Sequence, residues 1–186
     1  MKKCVLVIGH NAEAGDRGAR GADGTMEHDW NLDIANPIAV RVKRAKVIVE
    51  HYRKGGGNVA RFNAHDADLV LELHCNADAT GKASGTEVLY AKGSVLGVEY
   101  AKTLLGHLLL CLNLPNRYVR PIGQSVGPDG RDANGYGGAY LLWGVRAPAL
   151  IAEPFFISNP ADQFRANSRK RELFEAYAAA IDEIVQ

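Results

Sequence analysis

The chain has 186 residues, 47% of them hydrophobic, which suits one globular domain with a substantial core. Its formal net charge of +1 offers no argument for nucleic acid or an anionic membrane surface as a partner. Three scattered cysteines, Cys4, Cys75 and Cys111, with no C-x-x-C pair, do not form a disulfide framework.

The first strand is expected at Lys3–Ile8, an apolar run that stops at Gly9-His10. Only five apolar residues follow Met1-Lys2-Lys3, too few for the core of a signal peptide, so no export signal is expected. Asn11–Met26 is rich in glycine and polar turn-formers and reads as a loop. From Glu27 a helix is expected, with Trp30, Ile34, Ile38 and Val42 along one face and Pro37 bending or breaking it. Lys46–His51 is β-branched and short, a second strand, and Gly55-Gly56-Gly57 forces a turn. Val59–Asp66 reads as a short helix returning to a third strand, Leu69–His74.

Ala79–Ser84 is a polar loop and Gly85–Ala91 a fourth strand. Ser94 is a suitable N-cap for a long apolar helix over Val95–Leu112. A short strand at Tyr118–Ile122 leads into the glycine-rich stretch Gly123–Gly138, expected to be a flexible loop. A short helix at Ala139–Val145 and a last core strand at Ala149–Phe155 follow. Ser158-Asn159-Pro160 opens a helical tail whose Leu173, Tyr177, Ile181 and Ile184 share a face. No apolar run reaches the ~20 residues of a membrane span. Strands alternating with helices predict an α/β fold, a single domain over residues 1–186 with a mainly parallel, twisted central sheet flanked by helices on both faces.

Open α/β sheets bind ligands beyond the carboxyl ends of their strands. Three core strands here end in residues of ligand type: His10 after strand one, His74 after strand three, and Glu153 after Ala149–Ala152. Glu27 opens the first helix nearby in sequence. Two histidines and a carboxylate with an open position make a common hydrolytic zinc site, and a further carboxylate then moves protons. Cys75 adjoins His74, but neighbours in a strand face opposite ways, so both are not expected on one ion. Singly, each candidate also has a plain structural use: His10 to hydrogen-bond backbone, Glu27 to complement a helix N-terminus. His28, His51, His65 and His107 are read as structural or surface residues, and Asn76 and Asn159 as either substrate-orienting or loop-pinning.

Four segments sharpen this: V-I-G-H-N at Val7–Asn11, M-E-H-D-W-N at Met26–Asn31, L-E-L-H-C-N-A at Leu71–Ala77, and P-A-L-I-A-E-P-F-F-I-S-N-P-A-D at Pro148–Asp162. In kind and order they resemble the signature blocks of the zinc-dependent N-acetylmuramoyl-L-alanine amidases of the Amidase_3 type, and S-G-T-E-V-L-Y at Ser84–Tyr90 also fits. Asn11 and Pro154 depart from glycines common in that family. The resemblance implies that His10, Glu27 and His74 hold zinc (Zn2+) and that Glu153 is the catalytic general base and acid. It implies cleavage between N-acetylmuramic acid and L-alanine in peptidoglycan, hence a cell-wall substrate and no nucleic acid. Without an export signal, the expectation is a protein made in the cytoplasm that reaches the wall after phage-type, endolysin-like release or by another route. Two alternatives stand beside it: a zinc carboxypeptidase or deacylase of related topology, for which Arg120 or Arg146 would read a carboxylate, and an inactive wall-binding module.

Overall fold

Three strands that are apolar almost end to end decide the layering. β1 (Lys2–Ile8), β3 (Leu69–Leu73) and β6 (Ala149–Glu153) are buried on both faces over nearly their whole length, as strands of a doubly covered parallel sheet must be. The computed structural model, which describes residues 1–124 and 139–186, places them side by side in the centre. β2 (Ala45–His51) flanks β1, while β4 (Thr86–Ala91) and β5 (Asn116–Ile122) extend the other side, in the order β2-β1-β3-β6-β4-β5. All neighbouring pairs run parallel except β4 against β6. The edge strands β2 and β5 are only partly buried, so their sequences carry more polar side chains.

Side-chain alternation sorts the core into two layers. Leu6, Ile8, Leu69, Leu71 and Leu73 face α1 (Glu27–Ala39), α3 (Val95–Leu112), α5 (Pro160–Ser168) and α6 (Lys170–Ile184), with Trp30, Leu104, Phe155 and Tyr177 filling the space. Val5, Val7, Val70 and Ile151 face the smaller layer of α2 (Asn58–Ala64) and α4 (Ala139–Gly144), around Phe62 and Leu141. Each such side chain taken fully out of water contributes about 1.5–3 kcal/mol.

Helix α3 starts at the expected Ser94, whose hydroxyl accepts from the Gly97 N–H. By length and composition it is the one described helix that could cross a membrane, yet Ala101, Leu104, Leu108 and Leu112 are buried in the core cluster, which is how a central helix of a globular domain behaves. Three expectations need correction. Pro37 does not break α1, because it sits within the last turn and costs a single backbone bond there. Val42 lies beyond that helix but still packs on the core. The C-terminal tail is two helices, with Arg169 leaving helical geometry between them; Ala166 and Leu173 are both buried across the break, so the apolar spacing does not reveal it. From residue 125 on, the stretch expected to be a flexible loop at Gly123–Gly138 lies outside the described residues.

Candidate metal centre

β1 and β3 deliver two histidines to the same end of the sheet. Gly9 N–H donates to the Leu73 carbonyl at 3.0 Å, which ties the two strand ends together. His10 then adopts φ 68, a left-handed conformation uncommon for a side chain with a Cβ. That turn brings its ring within 4.8 Å, centroid to centroid, of the His74 ring. Close approach is possible only because two neighbours lack side chains. A Cβ on Gly9 would stand 2.6 Å from His74 Nε2, and one on Gly18 would stand 2.4 Å from His10 Nε2 and 2.6 Å from Glu27 Oε2.

Glu27, at the first position of α1, is 3% exposed and sits between the histidines. Oε1 lies 2.9 Å from His74 Nδ1 and accepts from the Cys75 N–H at 2.9 Å. Oε2 lies 2.9 Å from His10 Nε2 and accepts from the Ala19 N–H at 2.9 Å. Burial pushes the Glu27 carboxyl up, but the two histidines outweigh it and hold it well below the usual range. Desolvation lowers both imidazoles, yet the surrounding carboxylates raise them, His10 through Glu27 and Asp16, His74 through Glu72 and Glu27.

The ligand atoms of His10, Glu27 and His74 all lie within 4.8 Å of one another. The set suits zinc in kind: two imidazole nitrogens and a carboxylate. One atom is left over by the protein's own bonding. His10 Nε2 is shut off from solvent and, although Glu27 Oε2 is near, forms no well-directed hydrogen bond among the described residues. The far nitrogens are taken by carboxylates, His10 Nδ1 by Asp16 at 3.1 Å and His74 Nε2 by Glu72 at 3.1 Å, an arrangement typical of metal-ligating histidines.

Strand register places Glu153. Leu73 pairs with Ala152 and the His74 N–H donates to the Ala152 carbonyl, so Glu153 comes level with His74. On its other side Glu153 pairs with Glu87 of β4. Its Oε2 is closed off from solvent without a hydrogen-bond partner among the described residues. Desolvation raises the Glu153 carboxyl far above the ordinary range; His74 opposes this, while Glu27, Glu87 and Glu72 add to it. Glu87 is held by Arg120 at 2.9 Å, lies near Arg117, and bonds the Asn76 amide.

The remaining candidates fall elsewhere. The Cys75 thiol points to Asn31 Oδ1 at 3.7 Å. His28 meets Asp29, His65 meets Glu50 and His107 meets Glu183. Asn159 caps α5 and ties down the 82–83 backbone. Arg146 donates to the Asn63 carbonyl beside the start of β6, at the opposite end of the sheet, and Arg120 is engaged by Glu87. A surface hollow lined by Leu96, Trp143, Arg146 and Pro148 is at that far end too, away from the histidines. Sequence reasoning passed over Asp16, Glu72 and Glu87. Glu72 had a signal: it is the one charge inside the otherwise apolar L-V-L-E-L strand.

The profile of the N-acetylmuramoyl-L-alanine amidase family matches residues 4–183. No curated protein matches the chain. Among solved structures, it is similar to the catalytic domain of CwlV, an N-acetylmuramoyl-L-alanine amidase from Bacillus (Paenibacillus) polymyxa var. colistinus, with TM-score 0.77 and 21% identity over 98% of this chain and 97% of that one. The catalytic domain of an endolysin targeting Clostridia difficile is 28% identical, with TM-score 0.74 over 100% of this chain and 96% of that one. A putative N-acetylmuramoyl-L-alanine amidase from Neisseria meningitidis is 25% identical, with TM-score 0.73 over 98% and 94%.

Proposed function

Because the chain belongs to the N-acetylmuramoyl-L-alanine amidase family, we propose that it cleaves the amide between the lactyl group of N-acetylmuramic acid and L-alanine in peptidoglycan, with one zinc ion held by His10, Glu27 and His74. The observation that carries the reading is the meeting of those three side chains beside a buried carboxylate oxygen of Glu153 that has no hydrogen-bond partner among the described residues.

When bound, zinc supplies Lewis-acid polarisation of the scissile carbonyl and lowers the pKa of water towards neutrality. The rest falls to the chain's own groups. Asp16 and Glu72 occupy the far nitrogens of the two histidines, which leaves His10 Nε2 and His74 Nδ1 turned inward with Glu27. Glu153 is the proton carrier. Burial and its carboxylate neighbours raise its affinity for a proton, so it can take one from the attacking water and give it to the L-alanine nitrogen as the C–N bond breaks. The products are a free muramyl lactyl carboxylate and a stem peptide with a free α-amine.

The carboxypeptidase alternative would need an arginine open to a terminal carboxylate. Arg120 is engaged by Glu87 and Arg146 lies at the other end of the sheet, which favours the amidase reading. Digestion of purified peptidoglycan, with and without chelator, tests it. The expected products carry a new L-alanine amine and no new reducing sugar ends. Cut glycan strands, or stem peptides trimmed at their C-termini, would overturn it.

A further inference from the structure

The Glu72 carboxylate is an unusual group to bury where it is. Its side chain is 3% exposed and lies on the sheet face otherwise lined by Val5, Val7, Val70 and Ile151. A buried carboxylate there is costly, and an apolar residue of similar volume would generally hold the fold as well or better. Its Oε1 lies 3.1 Å from His74 Nε2, and its Oε2 has no hydrogen-bond partner among the described residues. Two groups meet the carboxylate: the Tyr52 phenol, which burial and this charge push far up, and the outer nitrogen of a histidine whose inner nitrogen lies 2.9 Å from Glu27.

We propose that Glu72 is a positioning residue that locks His74 in the tautomer with the proton on Nε2, so that Nδ1 is the nitrogen presented alongside Glu27 and His10; this rests on the zinc site proposed above. A neutral imidazole carries one ring proton, and the hydrogen bond made by one nitrogen decides what the other can do. A carboxylate can only accept, so His74 Nε2 donates to Glu72, and Nδ1, which faces Glu27 in the metal-free chain, is the nitrogen that would give its lone pair to zinc. The backbone at Gly9 closes the same edge of the ring, since any Cβ there would lie 2.6 Å from Nε2. His10 is held the opposite way round. Asp16 takes its Nδ1, so Nε2 faces inward, but the Asp16 side chain is 59% exposed and competes with water. The two histidines therefore offer different nitrogens, and the more secure hold is on His74.

The test is made on the full chain loaded with zinc. Long-range nitrogen–proton spectra should show His74 protonated on Nε2 and bound through Nδ1, and His10 bound through Nε2. Chelator competition should show Glu72→Leu binding zinc about 10–100-fold more weakly, the usual effect of losing such an outer partner. Glu72→Gln, whose amide oxygen still accepts from Nε2–H, should stay closer to the parent affinity than Glu72→Leu. A His74 protonated on Nδ1, or undiminished zinc affinity in Glu72→Leu, overturns the proposal while leaving the zinc site standing. The parent spectrum decides alone if Glu72→Leu does not fold. A parent chain that takes up no zinc would overturn the zinc site, and this proposal with it.

Discussion

Replacing Glu153 by glutamine removes a proton carrier and almost nothing else. The side chain keeps its size, and its Oε2 has no partner among the described residues to lose. General acid–base transfer by a positioned side chain typically contributes ~10²–10⁴-fold. At about 1.36 kcal/mol per decade, the barrier should rise by roughly 2.7–5.4 kcal/mol. Stability should not fall, because the carboxyl is buried and opposed by Glu27, Glu87 and Glu72, and a neutral amide relieves that opposition. The assay is release of stem-peptide amines from peptidoglycan by Glu153→Gln and parent at equal zinc content, with melting curves beside it. A rate within a few-fold of the parent would refute the role of Glu153. So would loss of zinc from the variant, which would make Glu153 a ligand and Glu27 the next carboxylate to test.

His74→Ala should lose its stoichiometric zinc by metal analysis, whereas Cys75→Ser, whose thiol points to Asn31, should keep it. Gly18→Ala adds a Cβ 2.4 Å from His10 Nε2 at φ +71 and should both weaken zinc binding and destabilise the fold by about 1–3 kcal/mol. Gly55→Ala, at φ +94 with nothing within 4 Å, carries the backbone strain without the collision and should bind zinc normally; equal zinc loss in both would sink the packing argument. In the chelated protein, the raised imidazoles of His10 and His74 contribute stability that is complete below the unfolded value of ~6.5 and is lost as pH rises through their folded values. Glu27, whose carboxyl is depressed, contributes stability present above its unfolded value of ~4.3 and lost as pH falls through the folded one. Zinc needs both imidazoles neutral, so the gap in melting temperature between zinc-loaded and chelated protein should widen from about pH 6 to 8. A gap that narrows over that range would argue against these histidines as ligands.

The layering was legible in the sequence because it depends on local pattern. The Leu69–Leu73 run, the short β-branched Lys46–His51 and the long apolar stretch after Ser94 each reveal strand or helix from a few consecutive residues. His10, His74 and Glu153 stood out for a related reason: a polar residue that ends a core strand must lie at the sheet's edge. The break at Arg169 escaped notice because the apolar spacing continues across it.

What the sequence alone determined, then, was which residues reach the carboxyl end of the sheet and that the fold is α/β. What it could not contain was the sideways order of the strands, with β6 inserted between β3 and an antiparallel β4. That order sets Glu153 level with His74 on one side and Glu87 on the other. The physical reason is range. Strand and helix preferences act between residues a few positions apart, whereas the field at a buried carboxylate is made by charges more than sixty positions away in the chain, which only tertiary packing brings together.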